Sequence, residues 1–109
     1  MPGYYDLKKN AQGQYHFTLK AGNHEVILSS ETYASKQGAE NGIDSCRTNS
    51  PHDNRYDRRT AINNNPYFVL KAGNGEVIGT SEMYSSAQAR DNGIDSCKAN
   101  GQGPTHDNT

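Results

Sequence analysis

Tryptophan is absent, and phenylalanine, methionine and cysteine occur only twice each. Hydrophobic residues make up 31% of the 109-residue chain, and mean hydropathy is −1.02. So little apolar material excludes several large cores. A chain of this length normally forms one domain and hides about two thirds of its unfolded surface, enough for one modest core. No apolar run approaches the ~20 residues that cross a bilayer. The opening MPGYYDLKKN lacks the apolar stretch of a secretory signal. Charge of one sign is also missing: 11 basic residues face 12 acidic ones, for a net −1. That balance removes any bulk attraction to nucleic acid or anionic lipid. It also argues against disorder, which pairs low hydropathy with high net charge. The two cysteines form no CxxC pair, and the expectation is a cytoplasmic protein with free thiols.

What the chain does have is repetition. Residues 17–49 recur as residues 68–100, at a constant offset of 51 positions and with no gap. The first copy opens FTLKAGNHEVILSSETYAS and closes NGIDSCRTN; the second opens FVLKAGNGEVIGTSEMYSS and closes NGIDSCKAN. One supersecondary unit has been written twice. Cys46 and Cys97 occupy equivalent places.

Each unit reads as hairpin strands followed by a helix. Tyr15, Phe17 and Leu19 alternate with polar residues, the period of a half-buried strand. Gly22 and Asn23 supply a turn, and Gly73-Asn74-Gly75 supplies a stronger one, because Asn-Gly tolerates positive φ. Val26 to Leu28 and Val77 to Ile78 open the return strands. Gly79 stands where Leu28 did, which predicts a bulge or a close contact. An earlier strand precedes each hairpin: Tyr4–Lys8 matches Arg55–Arg59, with Tyr5-Asp6 repeated as Tyr56-Asp57. The Lys9–Gly13 and Ala61–Pro66 segments, rich in Asn, Gly and Pro, read as turns.

Helices start near Ser35 and Ser86, whose hydroxyls can accept from the first free backbone N–H groups. At 100° per residue, Gly38, Gly42 and Cys46 share a face with Ile43 beside them, and Lys36, Glu40, Asp44 and Arg47 lie opposite. The second copy keeps the small face as Ala89, Gly93 and Cys97, with Ile94. A helical glycine costs about 1 kcal/mol relative to alanine, so its recurrence implies a close backbone approach. One hairpin and one helix bury too little to stand alone. The expected fold class is therefore α+β. Its two repeats, about residues 4–53 and 55–108 of one domain, merge into one continuous antiparallel sheet with both helices on one face and a pseudo-twofold axis. The segment after each helix, Ser50–Asn54 and its echo Thr105–Asn108, is expected to return to the sheet.

The stretches LKAGNHEVILSSETY, NGIDSCRTNSP and LKAGNGEVIGTSEMY resemble the YegP-like proteins, small uncharacterised bacterial proteins with a repeated domain of unknown function. The resemblance covers nearly the whole chain. It implies tandem β(3)-α-β units sharing one sheet, with C-terminal strands exchanged between units, and dimers for single-copy relatives. It implies no activity and assigns no functional residue.

Candidate chemistry is sparse. His52-Asp53 and His106-Asp107 could ligate a transition metal if they converged, but they do not form a spaced ligand set and read as polar turns. Their offset, 54, departs from the repeat. Cys46 and Cys97 lie toward helix C-termini, where the dipole disfavours a thiolate, and read as small core residues. Gly73-Asn74-Gly75 leads into a strand and lacks the Lys-Ser/Thr of a phosphate loop. Tyr33 and Tyr84, each in an S-E-x-Y step, read as rings packed between helix and sheet. Glu31 and Glu82 precede them. Arg55, Tyr56, Arg58 and Arg59 form the one basic and aromatic cluster. It can be read as a weak single-stranded nucleic-acid site or as a charged, aggregation-resistant edge, and the second reading fits the overall charge better.

No residue is assigned to catalysis, cofactor or metal. Two functions remain in view. The first is a non-enzymatic binding module using the open sheet face through His16, Thr18, Lys20, Tyr67, Val69 and Lys71, for a protein or small-ligand partner, in a monomer that is its own pseudo-dimer. The second is an enzyme with sites at the seam between copies, drawing on Asp44, Asp95, Glu31, Glu82 and the cysteines.

Overall fold

The structure, a computed structural model, describes residues 3–109. The chain order is β1 (Tyr4–Lys9), β2 (Tyr15–Lys20), β3 (Val26–Ser30), α1 (Lys36–Asn49), a 3-10 turn (Asp53–Arg55), β4 (Tyr56–Thr60), β5 (Pro66–Lys71), β6 (Val77–Thr80), α2 (Ala87–Asn100) and β7 (Thr105–Asp107). The strands form one sheet in the order β4-β5-β6-β3-β2-β1-β7. The halves meet at β3 and β6, where Ser29 faces its own repeat equivalent Thr80. The pseudo-twofold axis passes between them.

The sheet is mixed. Six strands pair antiparallel, and β7 adds a parallel edge beside β1, with Tyr5 opposite Thr105 and Leu7 opposite Asp107. The exchange of C-terminal strands thus occurs once. At the repeat offset, Thr105–Asp107 maps onto residues 54–56, and that stretch already turns into β4. The linker Ser50–Asn54 is consequently a turn and not a strand.

Alternation divides the strands cleanly. Tyr5, Leu7, Phe17, Leu19, Tyr56, Phe68 and Leu70 point to one side and pack with Ala39, Ile43, Cys46, Ile94 and Cys97 of the helices. Helix α1 lies over β2, β5 and β6, and α2 over β5, β3 and β2, so each helix covers strands of both copies. The caps form as the sequence predicts: Ser35 Oγ accepts from Gly38 N and Ser86 Oγ from Ala89 N, both at 3.0 Å. Ala39, which the projection sets between Cys46 and Ile43, is fully buried. One helix position departs from the projection: Arg47 is half-buried, donating to Gly103 O and Thr105 Oγ1 over the Tyr5 ring.

Glycine solves two close approaches. A Cβ on Gly42 would lie 2.5 Å from Tyr33 Oη, and one on Gly79 would lie 2.7 Å from Leu28 Cγ. Leu28 fills the axis from one side only, which is why its repeat equivalent is glycine. The hairpin turns place positive φ at His24 and Gly75, and not at Asn74. In the second of these turns Asn74 Oδ1 instead accepts from Glu76 N.

Candidate functional site

The face opposite the helices carries two matched charge clusters. Asp6 lies between Lys20 Nζ at 2.9 Å and Lys8 Nζ at 3.5 Å. Its repeat equivalent Asp57 lies between Arg59 Nε at 2.9 Å and Lys71 Nζ at 3.4 Å. Burial opposes ionisation of Asp6, which is 5% exposed, but hydrogen bonds from Asn108 and Lys20 outweigh it and hold the carboxyl below the usual range. The Arg59 hydrogen bond holds Asp57 low against a smaller desolvation effect. Four cations against two carboxylates leave each half with a surplus positive charge. Between the clusters the register aligns Thr18, Ser29, Thr80 and Val69, all short side chains.

Of the surface residues expected from alternation, His16, Thr18, Lys20, Tyr67 and Lys71 are half-buried on this face. Val69 shares their side but is 2% exposed. It forms floor and offers no contact, because Asp57 and Thr80 flank it on the neighbouring strands. A cluster that the repeat pattern did not reveal sits at the β7 edge. Tyr4 stacks on His106 with centroids 4.3 Å apart and its hydroxyl meets His24 Nδ1 at 2.7 Å. Strand exchange brings His106 there, so no local signal could have found it.

On the helix side, two cavities straddle the seam. One, of about 300 Å³, has a wall of Ala21, Glu25, Val26 and Ile27 from the first copy. Tyr84, Asn92, Gly93 and Ser96 of the second copy face them. The other, of about 220 Å³, is built from the corresponding residues Ala72, Glu76, Val77 and Ile78 against Tyr33, Asn41, Gly42 and Ser45. All eight pairs are identical in residue type.

Two segments, 10–57 and 61–107, match the family model described as "Domain of unknown function (DUF1508)". The chain belongs to the DUF1508 family. It is 56% identical over 105 residues to a UPF0339 protein of Shewanella oneidensis, covering 96% of each chain. It is 53% identical over 110 residues to the UPF0339 protein YegP of Escherichia coli K12, covering 100% of each. The solution NMR structure of a Shewanella oneidensis UPF0339 protein matches with TM-score 0.92 at 55% identity, over 98% of this chain and 92% of that one. That of YegP from E. coli, described as a protein of unknown function, matches with TM-score 0.94 at 52% identity, over 100% and 95%. The YegP-like resemblance and the two-repeat α+β fold are thereby shown, and these relatives indicate no enzymatic role.

The remaining candidates in this DUF1508 chain are dispersed. Asp53 pairs with Lys98 and Arg58 near the β4 edge, whereas His106 and Asp107 lie in β7 at the opposite edge. Among the described residues no three His, Cys, Asp or Glu side chains gather as a metal set. Cys46 and Cys97 are fully buried. Burial pushes both thiols up, Cys97 to about 11. The basic cluster is broken up. Tyr56 is buried with its hydroxyl donating to Ser50 O, Arg55 donates to Asn49 Oδ1, and Arg58 pairs with Asp53 and Asp91. Tyr33 and Tyr84 stack on Phe17 and Phe68, between helix and sheet as expected. Among the described residues no helix is long and apolar enough to cross a membrane.

Proposed function

We propose that this protein is a small non-enzymatic binding module whose open sheet face docks an acidic segment of a partner protein in the cytoplasm. The observation that carries the reading is the duplicated cation–carboxylate–cation cluster on the face opposite both helices. Its surplus positive charge, spread across short central side chains, suits an extended chain lying across the strands. Two unpaired thiols fit a reducing compartment. The nucleic-acid alternative is weaker, since Tyr56, its stacking residue, is buried.

The test is an NMR titration of the labelled chain with a heptaglutamate peptide at low salt. Shifts are expected at the amides of Lys8, Lys20, Arg59 and Lys71, fading as salt rises. The pair Lys8→Glu and Arg59→Glu should weaken binding at least about tenfold, or about 1.4 kcal/mol. Undisturbed amides, or tighter binding by an oligothymidylate of equal charge, would overturn the reading.

A further inference from the structure

The twin seam cavities point to a second kind of ligand, of opposite charge. Each is lined by a hairpin turn from one copy and a helix from the other, so neither copy could form one alone. Both carry a carboxylate, Glu25 in one and Glu76 in the other, and Glu82 adds a second to the larger. No Lys, Arg or His lines either cavity. A carboxylate at the rim of a partly apolar cavity, with no cation lining it, favours a cationic guest.

The polar groups around it are positioned by packing. The Tyr84 and Tyr33 hydroxyls approach the helix backbone closely because Gly93 and Gly42 have no side chain. Burial, with nearby carboxylates and thiols, raises the pKa of both phenols, so both stay protonated at neutral pH. Asn92 and Asn41 have their side-chain oxygens engaged by Gln88 and Gln37 at 3.0 and 2.9 Å. Val26 and Ile27, or Val77 and Ile78, supply apolar wall for a short hydrocarbon body.

We propose that each cavity binds the ammonium end of a small aliphatic amine, at two sites per chain. The amine meets Glu25 or Glu76, and its carbon chain lies against the Val-Ile wall. The site is separate from the open face and does not depend on it.

The probe is 1,4-diaminobutane, titrated into the labelled full-length protein at constant ionic strength, with butane-1,4-diol as the uncharged match. The amine should shift the Gly93, Gly42, Val26 and Val77 amides, saturate at two equivalents, and leave Lys8 and Arg59 unmoved. Glu25→Gln should weaken the Gly93 response about tenfold and spare Gly42, and Glu76→Gln should do the reverse. Both acids are exposed at the rim, so both variants keep the fold. Equal shifts from the diol, responses intact in both variants, or no shift at millimolar amine would each overturn the proposal. The open-face reading is tested by its own amides and would survive.

Discussion

At the scale of single residues, the helix glycines set the spacing between helix and sheet. Alanine at Gly42 would gain up to about 1 kcal/mol of helix propensity. Its Cβ, however, would lie 2.5 Å from Tyr33 Oη and 3.0 Å from Phe17 Cε2. Overpacking of that kind costs about 1–3 kcal/mol. Gly42→Ala should therefore destabilise by about 0–2 kcal/mol in urea denaturation, the balance of those two effects. Adding Tyr33→Phe removes the nearest atom and should recover most of the loss. A stabilised single variant would show that the ring simply moves aside. Buried tyrosines act at the same scale. Tyr5 Oη donates to Gly101 O at 2.8 Å and Tyr56 Oη to Ser50 O at 2.7 Å. Each ties a strand of one copy to the end of the other copy's helix, and burial raises both phenol pKa values.

At the scale of elements, the two sheet edges differ because only one is covered. Leu7 O accepts from Asn108 N, and Tyr5 N donates to Pro104 O, so the outer backbone of β1 is satisfied by the β7 segment. Leu7 is fully buried there, whereas its equivalent on uncovered β4 is the exposed Arg58. Charge on a bare edge resists sheet-to-sheet association. The β7 segment is itself held by two carboxylates. Lys36 holds Asp107 down to about 2, and Asn108 and Lys20 keep Asp6 low despite its burial. Both folded pKa values lie below the unfolded range, so the stabilisation is complete above about pH 4 and fades as pH falls toward 2. Protection factors of the Asn108 and Tyr5 amides, measured against intrinsic exchange at each pH, should therefore fall over that window while those of β2 and β5 hold. Unchanged protection near pH 2.5 would show that the carboxylates do not hold this edge.

For the whole molecule, every helix covers strands of both copies and the two halves share one ladder at β3 and β6. Such interleaving makes one cooperative unit. Far-ultraviolet circular dichroism and the near-ultraviolet tyrosine signal should report a single coincident urea transition, with a slope of about 1–3 kcal/mol/M. Two separable transitions would mean that the copies fold independently.

The sequence alone determined the repeat, the hairpins, the helix starts at Ser35 and Ser86, the small-residue helix face and the merger of two copies. Those features are set by local periodicity, capping and turn chemistry, which need no knowledge of neighbours. The open face was legible from alternation at His16, Lys20, Tyr67 and Lys71, but the burial of Val69 was not. Only the tertiary structure decided the parallel seat of β7, the inward turn of Arg47, the Tyr4–His106 stack and the paired seam cavities. Each joins residues far apart in the chain. Periodicity reports which side of an element is apolar, and does not report which strand or helix comes to rest against it.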